Sequence, residues 1–194
     1  MKNFFTFEGI DGSGKSTVSK KVYENLKQRG LDVILTFEPT DTFIGKCVQD
    51  FIKNGSDPYS TAFTFIADRI KHCEEIKKWL TEGKIVLCDR YADSTYAYQS
   101  AQMLDDIKEP IKWLKQLSDD KIILPEKTFF FKIDPKESIK RIQNRDELIP
   151  FEKVDFLKKV DKQYIKLSNQ KHFIILDATK KIDILVEEII NIVL

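Results

Sequence analysis

Short apolar runs alternate along the chain with longer segments of helical period, and a glycine-rich junction at residues 9–16 joins the first run to the first helical segment. Together these predict an α/β fold in which helices cover a parallel sheet. Strands are expected at residues 4–8, 33–36, 85–88, 128–133 and 173–176, each a short apolar stretch. Helices are expected at about 15–29, 44–53, 60–81, 94–103, 110–117, 135–144, 153–168 and 182–193. Gly30, Gly55 and Gly83 each follow a helical segment, where a left-handed residue ends the helix. No repeat, low-complexity tract or Pro/Gly-rich linker divides the 194 residues, and 42% hydrophobic content suits one well-filled core. Residues 1–194 therefore read as a single domain. Residues 146–152 read as a mobile loop, because Pro150 and its apolar neighbours interrupt two charged helices.

Charge narrows the function. Basic and acidic residues number 32 and 31, a net charge of +1, which creates no global field to draw the protein to nucleic acid or an anionic membrane. Any basic site must be local. Only five of the basic residues are arginine (Arg29, Arg69, Arg90, Arg141 and Arg145), so geometry is a reason for arginine where it stands: its planar fork matches phosphate bidentately. Cys47, Cys73 and Cys88 are odd in number, widely spaced and free of any CxxC pattern, as expected of free thiols in a reducing cytosol. The apolar stretch within residues 1–10 is too short for a signal-peptide core, and no run approaches a membrane span. A cytoplasmic, soluble protein is expected.

Gly9-Ile10-Asp11-Gly12-Ser13-Gly14-Lys15-Ser16 matches G-x-x-x-x-G-K-[ST], after an apolar strand and before a helix, as a phosphate-binding P-loop requires. Glycines let backbone N–H groups turn inward around phosphate oxygens, and the helix N-terminus adds partial positive charge. Lys15 is expected to reach the β- and γ-phosphates of ATP, and the Ser16 hydroxyl to ligate Mg²⁺. A second candidate is Ile85-Val86-Leu87-Cys88-Asp89, a buried strand delivering a carboxylate to the edge of the sheet. Asp89 there suits either a metal or a cap, and neighbouring Arg90 favours phosphate chemistry. A third is the helical stretch holding Phe65, Arg69 and His72. Phe65 and Arg69 lie four apart and share a face, so an aromatic plate and a fork donor point the same way. Phe63 and Phe65 suit packing as well as ligand contact, His72 reads as structural, and Tyr91, Tyr96 and Tyr98 suit the core.

These motifs in this order resemble the thymidylate kinase family. The resemblance runs through Phe7 to Thr17, then Glu38-Pro39-Thr40, Ala67-Asp68-Arg69 with His72, Asp89-Arg90-Tyr91, Ser94-Thr95 with Tyr98-Gln99, and Asp177-Ala178-Thr179. It implies a three-layer P-loop NTPase fold with a five-stranded parallel sheet and a short lid at about 141–153, ATP and Mg²⁺ as cofactors, dTMP as acceptor, and a homodimer. Gly9 to Thr17, Asp11 included, would hold ATP; Ser16 and Asp89 would serve the metal. Glu38 and Pro39 would border the acceptor, Phe65 would stack on thymine, and Arg69 would bond its edge. Arg90 would grip the acceptor phosphate, Thr95 would stand near the base, and Tyr98 would lie against the deoxyribose. The family carries an arginine in the P-loop or in the lid. Gly12 occupies the P-loop position here, so Arg145, ahead of Arg141, is expected to supply that charge. Two departures stand out: Phe37 replaces the arginine that commonly precedes Glu-Pro, and Pro150 occupies a place where some lids are basic. Rival readings are a kinase for UMP, CMP or a deoxynucleoside, and a GTP-hydrolysing switch. The switch is disfavoured because the chain lacks the [NT]-K-x-D guanine signature.

Overall fold

The computed structural model describes residues 2–142 and 154–194. Its elements run β1 (Phe4–Glu8), α1 (Lys15–Gln28), β2 (Val33–Phe37), α2 (Phe43–Asn54), α3 (Pro58–Thr81), β3 (Ile85–Asp89), α4 (Ala92–Gln102), α5 (Pro110–Ser118), β4 (Lys127–Lys132), α6 (Pro135–Ile142), α7 (Val154–Leu167), β5 (Phe173–Asp177) and α8 (Ile182–Val193). The expected lid at about 141–153, the loop at 146–152 and Arg145 fall wholly or mostly outside the described residues. The expected helix at 135–144 is seen as far as Ile142. A 3-10 turn at Asp119–Lys121 was not anticipated.

All five strands are parallel, in the order β2-β3-β1-β4-β5. β1 is central, so the strand order reverses beside it, which is where an open α/β sheet forms its crevice. Register brings Phe7 opposite both Asp89 and Phe129, so the end of β3 lies beside the start of the P-loop. Phe4, Phe7, Phe129, Phe130 and Phe131 are all buried, and Phe7 meets Phe129 at a ring separation of 5.4 Å. Each such side chain contributes roughly 1.5–3 kcal/mol of transfer free energy, which anchors the strand that ends in the P-loop. Two buried hydroxyls in this layer, Thr6 and Thr128, satisfy each other at 2.9 Å.

Local chemistry explains where the helices differ from expectation. α3 starts two residues early because Asp57 accepts from the N–H groups of Tyr59 and Ser60, with Pro58 at the first helical position. α4 starts at Ala92, ahead of the expected residue 94, and every residue from 92 to 101 is buried. Its polar side chains, Asp93, Ser94, Thr95 and Gln99, are thus interior groups that need interior partners. Gly30, Gly55 and Gly83 do adopt the left-handed backbone expected after a helix. Among the described residues, no helix is long and apolar enough to cross a membrane.

Candidate active site

The P-loop borders a cavity of about 650 Å³ that also touches Arg90, Arg141, Ala178, Lys181 and Ile182. Gly14 takes φ 88° at the N-cap of α1, a backbone state other residues resist, and so directs the free N–H groups of the first turn toward this space. Gly12, at φ 79°, has no room for a side chain: a Cβ there would sit 2.3 Å from the Ser138 carbonyl oxygen of α6. α6 thus packs backbone to backbone on the P-loop. Ser16 and Thr17 are exposed, whereas Lys15 is buried with its Nζ 3.4 Å from the Ile10 carbonyl. Burial first, and then the charge of Arg90, lower its pKa to about 8, against the pull of Asp11, Asp89 and Glu8.

Arg90 follows β3 with φ 65°, a left-handed conformation rare outside glycine, at an order-of-magnitude cost of ~1–3 kcal/mol. Its backbone N–H donates to Phe7 O, which pins the turn against β1. Its side chain reaches back to the P-loop: Nη2 donates to Asp11 Oδ1 at 2.5 Å, and Nη1 to Gly9 O and Ser94 Oγ. Asp11 Oδ2 accepts from the Tyr98 hydroxyl at 2.7 Å, and the guanidinium lies 5.4 Å from the centre of the Tyr98 ring. The preceding Asp89 carries a buried oxygen, Oδ1, with no partner among the described residues.

A second cavity, of about 200 Å³, adjoins the first. Pro39, Phe65, Tyr98 and Gln99 line it, and it shares Asp11 and Arg90 with the P-loop cavity. Phe65 is half-buried there, and the Glu38–Pro39 peptide is cis. Glu38 also lines this space, yet both its oxygens are engaged: Oε2 by Arg69 at 2.8 Å and Oε1 by His72 at 3.0 Å. His72 bonds Thr36 through its other nitrogen, the structural role expected of it. α3 further holds the loop after β2 through Asp68, which accepts from Thr40 N, Thr40 Oγ1 and Thr42 Oγ1.

Arg69 and Thr95 do not line the cavity. Arg69 is fully buried, bonded to Glu38 and to the Tyr91 carbonyl, and its Nη2 donates to Thr95 Oγ1 at 2.8 Å. Its Nη1 has no partner among the described residues. Of the lining residues that sequence reasoning left without a site role, Gln99 is buried with Oε1 unpartnered. Its signal was faint: a glutamine amid buried helical neighbours becomes conspicuous only once the helix is known to be interior. Arg141 lies in the last turn of α6, within the helix expected at 135–144 and at the start of the expected lid, and donates to the Ala178 carbonyl at 3.1 Å on the wall of the P-loop cavity. Ala178, Lys181 and Ile182 were not anticipated there.

Glu8, at the end of β1, is a buried acid bonded to Tyr91 and Ser94, two residues of the smaller cavity's lining. Burial pushes its carboxyl up, while the Ser94 hydrogen bond and the Arg90 charge pull it down. Asp93, also buried, accepts a single long bond from Thr128 Oγ1 at 3.5 Å, and burial followed by the charge of Glu8 raises its pKa to about 7.

A family model described as "Thymidylate kinase" matches residues 7–189, a span that holds the P-loop, both cavities and Arg141. The chain is 42% identical over 196 residues to a "Probable thymidylate kinase" of Sulfurisphaera tokodaii, covering 100% of this chain and 96% of the relative. It is 38% identical to that of Methanosarcina barkeri over 193 residues, covering 97% and 94%. A third relative, from Methanocaldococcus jannaschii, is 38% identical over 190 residues, covering 97% and 92%. With matches that span both cavities and the strands that carry them, the chain belongs to the thymidylate kinase family.

Proposed function

We propose that this chain transfers the γ-phosphoryl group of ATP to the phosphate of dTMP, giving dTDP and ADP, as one P-loop kinase domain with a lid at about 141–153. The observation that carries the reading is the pair of adjoining cavities sharing Asp11 and Arg90. One is polar and bounded by a P-loop; the other is small and lined by aromatic and amide groups.

The acceptor is a phosphate monoester whose second pKa lies near about 6, so its oxygen is already an anionic nucleophile at neutral pH. No general base is required. The acceptor oxygen forms a bond to the γ-phosphorus as the bond to the β,γ-bridging oxygen breaks, and ADP leaves with that electron pair. The protein's task is to bring two anionic groups into line and neutralise them. Lys15 and the P-loop amides serve the donor phosphates, Arg90 the acceptor phosphate, and Arg145, or Arg141 in its place, the transferred group. The unpartnered Asp89 Oδ1 and the exposed Ser16 hydroxyl are hard oxygen donors that fit Mg²⁺. Mg²⁺ bound there supplies charge neutralisation at the phosphate oxygens.

Base selection rests on Gln99 Oε1, an uncommitted buried acceptor of a residue in the cavity lining; Arg69, behind the wall, braces Glu38 and Thr95. Thymine offers an N3–H donor beside carbonyl acceptors. Cytosine presents an unprotonated N3 instead, leaving acceptor against acceptor, a mismatch costing on the order of 1–3 kcal/mol for a buried group. Phe65 supplies a stacking face, and the Tyr98 ring, held by Asp11, crowds a ribose 2′-hydroxyl. The reading extends to a homodimer, for which Phe63 and Ile70, two turns apart on one exposed face of α3, are candidate contacts, and to a cytoplasmic location, which the free cysteines suit.

The direct test is ADP release from ATP and Mg²⁺ with a panel of nucleoside monophosphates. dTMP is expected to give the fastest turnover; release that does not depend on dTMP contradicts the reading.

A further inference from the structure

Arg90 holds a strained backbone, and hydrogen bonds to the end of β1 keep it there. The N–H of Arg90 donates to Phe7 O at 3.0 Å, and the next N–H, of Tyr91, donates to Glu8 Oε1 at 2.8 Å. Consecutive residues of β1 therefore grip consecutive amides of the turn. The same oxygen accepts from Ser94 N at 3.2 Å, in the first turn of α4. Glu8 Oε2 accepts from the Ser94 hydroxyl at 2.5 Å and from the Tyr164 hydroxyl of α7 at 2.9 Å. Four donors from three segments thus converge on one carboxylate. Ser94 Oγ, fixed in this way, accepts from Arg90 Nη1 at 3.2 Å.

Tyr164 gives the arrangement its reach. Its ring stacks on Phe130 of β4 at 5.1 Å and meets Tyr98 of the acceptor cavity at 6.4 Å. The carboxylate is therefore bonded at once to the Arg90 turn, to the first turn of α4 and to α7. A left-handed arginine persists only where its surroundings over-determine it, and Glu8 supplies two of the bonds that do so.

We propose that Glu8 is a positioning residue for phosphoryl transfer: its carboxylate clamps the turn after β3 and the start of α4 so that Arg90 faces the acceptor phosphate. This rests on the functional reading above. Glu8 touches neither substrate nor reacting atoms; it acts through Arg90 and Ser94.

The test compares two substitutions that separate reach from charge. Glu8→Gln keeps the side-chain length and an oxygen for the two backbone N–H groups, while the two hydroxyls can turn to accept from its amide. Glu8→Asp keeps the charge but withdraws it by one methylene. Positioning predicts that Glu8→Gln stays within about tenfold of wild-type kcat/KM for dTMP. It predicts that Glu8→Asp loses about 10²-fold, the usual cost of a displacement near 1 Å at a reacting centre. In both, KM for ATP stays within about threefold of wild type, because the P-loop amides are untouched. Should Glu8→Asp fail to fold, Tyr164→Phe, which removes one donor and leaves the carboxylate, carries the test with an expected loss of about three- to tenfold in the same ratio, and a wild-type value would overturn the proposal.

The reverse order, Asp active and Gln inactive, would overturn the proposal in favour of a purely electrostatic role. Wild-type values in both variants, or a rise in KM for ATP in step with the loss, would overturn it as well. Wild-type enzyme that releases no ADP with dTMP would instead mark failure of the functional reading, and the proposal would fall with it.

Discussion

The two cavities that meet at Arg90 are built in opposite ways. The donor side is largely backbone: eight consecutive residues, 11–18, turn around a glycine-bordered space of about 650 Å³, and only Lys15 brings a buried charge from the motif. The acceptor side is side chain, about 200 Å³ enclosed by residues from the P-loop, the β2–α2 loop, α2, α3, the β3–α4 turn and α4. A backbone cradle needs little support from elsewhere, because its geometry is local. A side-chain pocket inherits its shape from whatever holds each wall. Hence the buried bonds concentrate on the acceptor side: Asp68 on Thr40 and Thr42, Arg69 and His72 on Glu38, and Glu8 on Tyr91 and Ser94. Changes on the donor side should strike turnover without specificity, and changes on the acceptor side should alter which nucleotide is used.

Three substitutions probe that contrast, in descending order of effect. The strongest is Arg145→Ala, expected to lower kcat by ~10³-fold or more with a smaller change in KM, as for an arginine acting on transition-state charge. Single-turnover kinetics check it, and a larger loss from Arg141→Ala would transfer the role to that residue. Lys15→Ala follows, expected to lower kcat by ~10²-fold or more while leaving circular dichroism and the dTMP/dCMP ratio unchanged. A changed ratio would break the separation of the two sides. Gly12→Ala comes next. Its Cβ would stand 2.3 Å from Ser138 O at φ 79°, so a lowered unfolding temperature and a loss of ~1–3 kcal/mol in denaturant unfolding are expected.

How much of this was legible follows the same division. The P-loop announced itself because its chemistry needs adjacent residues, and the strand before it and helix after it could be read from period alone. Asp89 and Arg90 were legible as the end of an apolar run. The acceptor pocket was legible only through a resemblance carrying Phe65, Arg69 and Tyr98, since its walls come from segments far apart in the chain. Even then, whether Arg69 stands in the cavity wall or behind it depends on α3 packing against α4, which no local pattern encodes. Gln99 was overlooked for a related reason: polar residues between 93 and 100 suggest an exposed face, and only the covering of α4 by α3, α5 and α7 turns them inward. The clash that bars a side chain at Gly12 is likewise invisible in sequence, being a tertiary contact with α6.

Asp93 gives a subtler test of the burial of α4. Its pKa is raised from the ordinary carboxylate range to about 7, so the folded state binds a proton that the unfolded state releases between about pH 4 and 7. Stability from this group is therefore present at low pH and is lost as pH rises to about 7. Asp93→Asn should unfold at a higher temperature than wild type at pH 8, with the advantage shrinking toward pH 4. An advantage independent of pH would show that Asp93 stays ionised in the fold.

The most direct measurement is kcat/KM for dTMP, dUMP, dCMP and UMP on the wild type and on Gln99→Leu, which removes the unpartnered acceptor and keeps the bulk. Wild type should rank dTMP first, dUMP weaker, and dCMP and UMP much poorer, and Gln99→Leu should narrow the gap between dTMP and dCMP by about tenfold or more. A wild-type preference for dCMP or UMP would contradict the account, as would a dTMP/dCMP ratio unmoved by the substitution, since the base would then be chosen by something other than this pocket.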